Sequence, residues 1–227
     1  LGKSPVDAIY IVDSFGSIYP EQMQRIAHLY KEYADKYGKV LGVHAHNNQQ
    51  LAFANTIEAV GDGVDWLDGT YNGMGRGAGN LNTELFVEDL NENAGKSYDI
   101  KPLLTIVDKI LTRFYERNYW GYSLPNYISA SHNAHPNYAG YLDAKKTLTF
   151  EDMNNIFDMM DEDKKVSYDK AYIEELYLKY QEKDSVQEAH ISEFSERVRG
   201  KTALIIAPGQ SSVAERDKIE ACAKRDD

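Results

Sequence analysis

From residue 6 onward, short apolar runs alternate with stretches in which apolar residues recur every three or four positions. Val6-Asp7-Ala8-Ile9-Tyr10-Ile11-Val12 is rich in β-branched residues and predicts a buried strand that ends at Asp13-Ser14-Phe15-Gly16. Tyr19-Pro20-Glu21-Gln22 then opens a helix, with Pro and Glu in its first turn. Met23, Ile26, Ala27, Tyr30 and Tyr33 repeat along it at helical spacing, and Gly38 stops it. Val40-Leu41-Gly42-Val43 is a second strand, leading into His44-Ala45-His46-Asn47-Asn48. Residues 49–60 predict a second helix, 64–70 a third strand, 72–80 a glycine-rich loop and 83–90 a third helix. Strands alternating with helices predict a parallel sheet with right-handed crossovers. The near-continuous apolar strands predict burial on both sheet faces.

After residue 95 the period becomes helical throughout. Helices are expected over 100–119, within 122–142, over 149–161 and over 168–183, with a polar linker helix over 185–199. Residues 201–212 predict a strand and turn and 213–224 a helix, the opening unit of a further α/β domain. The expected domains are therefore 1–95, a helical extension over 96–192, and the beginning of a Rossmann-like domain over 198–227.

The unusual polar residues of the first region fall at the C-terminal ends of the strands: Asp13-Ser14, His44 with His46, and Asn72 to Asn80. Active sites of (β/α)8 barrels and doubly wound sheets lie at that edge. Three such ends in succession favour a barrel, whose loops converge on one centre. In extended chain, positions i and i+2 share a face, so His44 and His46 project together and make half of a metal site. The bland alternative is two ordinary polar residues where a strand meets its loop.

Charge and cysteine content narrow the field. The chain of 227 residues has a formal net charge of -11, which disfavours nucleic acid and anionic membrane surfaces as partners. An anionic substrate would need a local positive centre such as a metal. A single cysteine, Cys222, leaves no intramolecular disulfide and no thiolate metal site, as fits a reducing cytoplasm. No apolar run reaches the roughly 20 residues of a membrane helix. The loop Gly73-x-Gly75-x-Gly77-x-Gly79 lacks the G-x-G-x-x-G spacing of a dinucleotide fingerprint, because position 78 is Ala. Its glycines are expected to let backbone pass close to metal and substrate.

His44-Ala45-His46-Asn47, then Ala54-Asn55, then Asp68 to Asn80 with its glycines, resembles the DRE-TIM metallolyases, the pyruvate carboxyltransferase-like domain family. Within it, the likeness is greatest to the 4-hydroxy-2-oxovalerate aldolases and covers roughly residues 6–142. The resemblance implies a (β/α)8 barrel and a divalent metal (Mn²⁺ first, Mg²⁺ or Zn²⁺ otherwise) held by His44, His46 and Asn80. It implies cleavage or formation of a 4-hydroxy-2-oxo acid, with pyruvate and an aldehyde as products, through a metal-stabilised enolate. Asp13 and Ser14 would hold the substrate carboxylate or order the site, although Ser14 also suits a turn or helix cap. Arg76 and Gly77 would meet the substrate. Arg76 stands in a loop that carries a Cys in the acyl-CoA-cleaving branch, which counts against that branch.

Gly121-Tyr122-Ser123 resembles the aldolase segment with a catalytic Tyr, so Tyr122 would protonate the enolate or orient the aldehyde; a buried core Tyr is the competing role. In those aldolases the helical segment contacts a partner aldehyde dehydrogenase, so a partner enzyme through the helical extension is one expectation and a homo-oligomer another. One departure is plain: the D-R-E-like triplet of the family's first strand is not found. The chain is therefore expected to hold the C-terminal half of the barrel and to be inactive alone. Two rival functions remain at this level. One is an acetyl-CoA-dependent Claisen synthase of the 2-isopropylmalate synthase type, and the other a non-catalytic metal- or ligand-binding barrel module.

Overall fold

In the computed structural model, residues 2–185, 195–200, 215 and 217–219 are described. Three strands, β1 (Ala8–Asp13), β2 (Val40–Ala45) and β3 (Trp66–Asp68), form a parallel sheet in the order β1-β2-β3. Helices α1 (Pro20–Lys36) and α2 (Ala52–Gly61) make the two crossovers, and α3 (Thr83–Asn93) follows the glycine-rich loop. The register pairs Ile9 with Leu41, Ile11 with Val43, and Val43 with Leu67. These residues face one way and pack on Met23 and Ala27 of α1 and Ala59 of α2, forming the core. The Pro20 start is fixed by its predecessor, since the Tyr19 backbone N–H donates to Gln22 Oε1 at 3.0 Å.

The other face differs from the expectation of two-sided burial. Val12 is 49% exposed and Trp66 50%, because all the covering helices of the described residues lie on the Ile9–Leu41–Leu67 side. Along β1 burial therefore alternates. Apolar composition alone does not distinguish a strand covered on one face from one covered on two.

Several boundaries shift for local reasons. α2 starts at residue 52 rather than 49, because Gln50 sits at φ 61° and the Asn47 carboxamide oxygen accepts from the Ala52 N–H at 3.2 Å. β3 is only three residues long, because Thr70 turns away to take the Leu81 carbonyl at 2.9 Å. The segment expected as one helix over 100–119 is α4 (Lys101–Ile106), a π turn at Val107–Leu111 and α5 (Thr112–Tyr115). Then come α6 (Leu124–Ser131), α7 (Pro136–Lys145), α8 (Phe150–Asp158) and α9 (Lys170–Ser185). Ser123, His135 and Thr149 cap α6, α7 and α8 by accepting backbone N–H groups.

Leu1–Tyr177 make one compact unit and Leu178–Asp227 another. In the second, residues 195–198 are helical, as are 217–219. The strand expected over 201–212 and most of the helix over 213–224 lie outside the described residues. No helix among the described residues is long and apolar enough to cross a membrane.

Candidate metal and substrate site

The β2 end brings His44 and His46 to one side, with ring centroids 4.9 Å apart. The His46 ring is anchored through Nδ1, and His44 Nδ1 faces a carboxylate. His46 Nδ1 lies 2.8 Å from the Asp13 backbone carbonyl oxygen. A carbonyl only accepts, so Nδ1 carries the proton and Nε2 keeps its lone pair. His44 Nδ1 lies 3.4 Å from Asp68 Oδ2, its direct partner in the parallel register. Metal-binding imidazoles are oriented in this way, one nitrogen tied to a carbonyl or carboxylate and the other left basic. Burial holds His46 below its ordinary pKa against its bond to Asp13, with help from the His44 and Arg76 charges. The neutral ring is the ligating form.

Asn80 stands opposite His46 across an isolated antiparallel bridge. Its Nδ2 donates to the Met74 carbonyl at 3.0 Å, and its buried Oδ1 has no hydrogen-bond partner. A buried acceptor without a donor is costly unless something else meets it. Two imidazole nitrogens and one amide oxygen fit a Mn²⁺-, Mg²⁺- or Zn²⁺-type ion. Among the described residues, no three His, Cys, Asp or Glu side chains group to hold a metal, so Asn80 is essential to this donor set.

The glycine-rich loop is folded against β2. Asn47 N–H donates to Gly79 O at 2.8 Å, and Asn80 N–H to Gly73 O at 3.0 Å. A Cβ on Gly75 would lie 2.5 Å from Asn80 Nδ2, so a side chain there would displace the Asn80 amide. Arg76 is exposed, and its charge reaches both His46 and His135. In a chain of net charge -11, this places an exposed cation beside the two rings.

Asp13 is buried, and its carboxylate is turned onto its own loop, accepting from Ser17 N–H at 3.1 Å and Ile18 N–H at 3.3 Å. Burial raises its pKa, and these backbone donors oppose the rise. Ser14, next in the chain, is exposed. Tyr122 is 48% exposed, so it is not the buried core residue of the competing view. Its segment docks on the glycine loop. Trp120 Nε1 donates to Asn72 O at 2.8 Å, and Gly121 N–H to Gly77 O at 3.1 Å. A hollow of about 640 Å³ beside it is lined by Gly77, Tyr122, Ser123, Asn126 and Asp143, among others.

Two residues escaped the sequence. Asp68 was legible as a strand residue and as the start of the glycine-loop motif, with no role of its own, although an acid at a strand's C-terminal end on the His44 face is the signal that would have found it. Asn48 lay inside the histidine stretch with no role. It is buried, donates through Nδ2 to Phe15 O at 2.9 Å and accepts through Oδ1 from Ala78 N–H at 3.0 Å.

Residues 3–110 match the family described as HMGL-like. A 4-hydroxy-2-oxovalerate aldolase from Thermomicrobium roseum is 42% identical over 86 residues, which are 38% of this chain and 23% of the aldolase. An oxaloacetate decarboxylase from Mycobacterium tuberculosis is 42% identical over 85 residues, 37% of this chain and 24% of that protein. The chain thus matches about a quarter of the length of these relatives. Among solved structures, the N-terminal domain of a Bacteroides vulgatus protein assigned as an aldolase superposes with a TM-score of 0.56 at 35% identity, covering 63% of this chain and 46% of that one. Pyruvate carboxylase from Rhizobium etli, crystallised without acetyl coenzyme A, gives a TM-score of 0.61 over 97% of this chain and 26% of its own; at 15% identity it shows the fold alone. The names of the relatives support a lyase-type family, and residues 3–110 are similar to the HMGL-like family.

Proposed function

We propose that this chain carries part of the centre of a divalent-metal-dependent lyase, on the C-terminal half of a (β/α)8 barrel, that cleaves a 4-hydroxy-2-oxo acid to pyruvate and an aldehyde. The observation that carries the proposal is the adjacent His44 and His46 rings, His46 tied through Nδ1 and His44 Nδ1 facing Asp68, on the same strand end as the unpartnered Asn80 Oδ1. His44, His46 and Asn80 would hold the ion. When bound, it would supply Lewis acidity toward the oxygens of the 2-oxo acid. Arg76 would attract the substrate carboxylate. Ser14, exposed beside the buried Asp13, would line the approach, and Asp13 would order it. Tyr122 would orient the departing aldehyde or return a proton to the enolate carbon.

A second reading has its own support, since the decarboxylase match is as close as the aldolase match. Oxaloacetate cleavage also leaves the enolate of pyruvate, with carbon dioxide in place of the aldehyde. The two differ in one demand: aldol cleavage needs a base for the 4-hydroxyl proton and decarboxylation does not. The test adds Mn²⁺ to the chain, and to any longer natural protein containing it, and follows pyruvate from 4-hydroxy-2-oxovalerate and from oxaloacetate. Pyruvate from the hydroxy acid supports the aldolase, and pyruvate from oxaloacetate alone supports the second reading. Absence of Mn²⁺ binding would sink both.

A further inference from the structure

We propose that Asn48 is a positioning residue for this centre, one amide that fixes the β1 loop and the glycine loop against the end of β2. This rests on the metal-site reading above. The Asn48 side chain is 3% exposed, and both of its hydrogen bonds cross to other loops: Nδ2 to Phe15 O, and Ala78 N–H to Oδ1. The walls around it are bare glycine. A Cβ on Gly16 would stand 2.7 Å from the Asn48 backbone N, and one on Gly77 would stand 2.7 Å from Asn48 Oδ1. The β1 loop and the glycine loop therefore both close onto Asn48, one at its backbone and Nδ2 and the other at its Oδ1.

Each bond leads to a site residue. Phe15 lies two residues beyond Asp13, whose carbonyl orients His46. Ala78 lies two residues before Asn80, whose Oδ1 is the third donor. Arg76 lies two residues before Ala78 on the same loop. The position demands a donor and an acceptor together. Aspartate supplies only acceptors when ionised and would set a carboxylate oxygen against the Phe15 carbonyl, and alanine supplies neither. Freed loops would shift His46 relative to Asn80, and displacement of about 1 Å is enough to spoil such a site.

Mn²⁺ binding followed by electron paramagnetic resonance tests the proposal on the full chain without requiring turnover. The variants are Asn48→Asp, Asn48→Ala and Gly77→Ala. Thr56→Val is the control for general destabilisation, because Thr56 is equally buried but bonds only within α2, to Ala52 O at 2.7 Å. Asn48→Asp and Asn48→Ala should weaken Mn²⁺ binding by about 10–100-fold, as loss of outer-sphere orienting residues does, and alter the spectrum of the bound ion. Gly77→Ala, which presses on the amide without deleting it, should do the same to a smaller degree and keeps the test open if the Asn48 variants do not fold. Thr56→Val should lower thermal stability and leave affinity and spectrum unchanged. Wild-type binding together with unchanged Asn48 and Gly77 variants overturns the role of Asn48 alone, as does an equal loss in Thr56→Val. A wild-type chain that binds no Mn²⁺ overturns the metal reading itself.

Discussion

Two pairs of histidines, His44 with His46 and His132 with His135, sit in contrasting surroundings. In the β2 pair, His46 is tied through Nδ1 to a backbone carbonyl and His44 Nδ1 faces the Asp68 carboxylate at 3.4 Å. His132 has both nitrogens engaged, Nδ1 at 2.8 Å from Ile128 O and Nε2 at 3.0 Å from Asp158 Oδ1, while its face packs on Phe157. His135 uses Nδ1 as an acceptor, capping α7 through the Asn137 N–H at 3.2 Å. Sequence flags four histidines near candidate loops, but local bonding leaves a free, oriented base in one pair only. A ligand is recognised by what its second nitrogen does.

The largest effect that would break this contrast comes from His46→Ala. It removes a candidate ligand and should weaken Mn²⁺ binding by on the order of 100-fold or more, above the cost of losing an outer-sphere partner. Calorimetric titration checks it, and an unchanged affinity returns His46 to an ordinary strand-end residue. Asp68→Asn should be milder, roughly 10-fold, because the amide weakens but does not delete the support of His44 Nδ1. The same titration applies, with a normal melting curve as the companion result.

His132→Ala should leave Mn²⁺ affinity untouched and lower stability by about 1–2 kcal/mol, through the lost bonds and the exposed ring of Phe157. Urea unfolding reads this directly, and a metal effect would erase the distinction between the pairs. The smallest effect is in pH. Burial holds the pKa of His135 below its ordinary value, with Arg76 adding to the shift. The fold favours the neutral ring, so this contribution is complete above about 6.5 and is lost as pH falls through the window just beneath it. Thermal melts of wild type and His135→Asn between pH 7.5 and 5 should converge toward the acid end.

The β-α-β-α-β order was legible because apolar runs of strand length alternate with helical periods, and the two β2 histidines because a period of two is local. What escaped was whatever depended on register or on long-range bonds. Asp68 becomes the partner of His44 only once β2 and β3 are aligned, 24 residues apart in sequence. Asn48 joins loops 33 and 30 residues away, which no local pattern encodes. Exposure of Val12 and Trp66 likewise depends on which side the helices choose. The length of β3 was set by Thr70 pairing with Asn82, a contact made by the return of the glycine loop.

The indole of Trp120, 6% exposed and hydrogen-bonded to Asn72 O against the glycine loop, gives the chain an optical gauge. The sequence has only two tryptophans, and the other, Trp66, is half exposed on the open sheet face. Emission from the shielded indole should lie to the blue of emission from the wet one, so their sum carries a loop signal over a solvent baseline. Trp66→Phe would leave a single reporter packed against the loop that bears Arg76 and Asn80. Arrival of an ion or a substrate there could then be timed by native fluorescence, with no label attached.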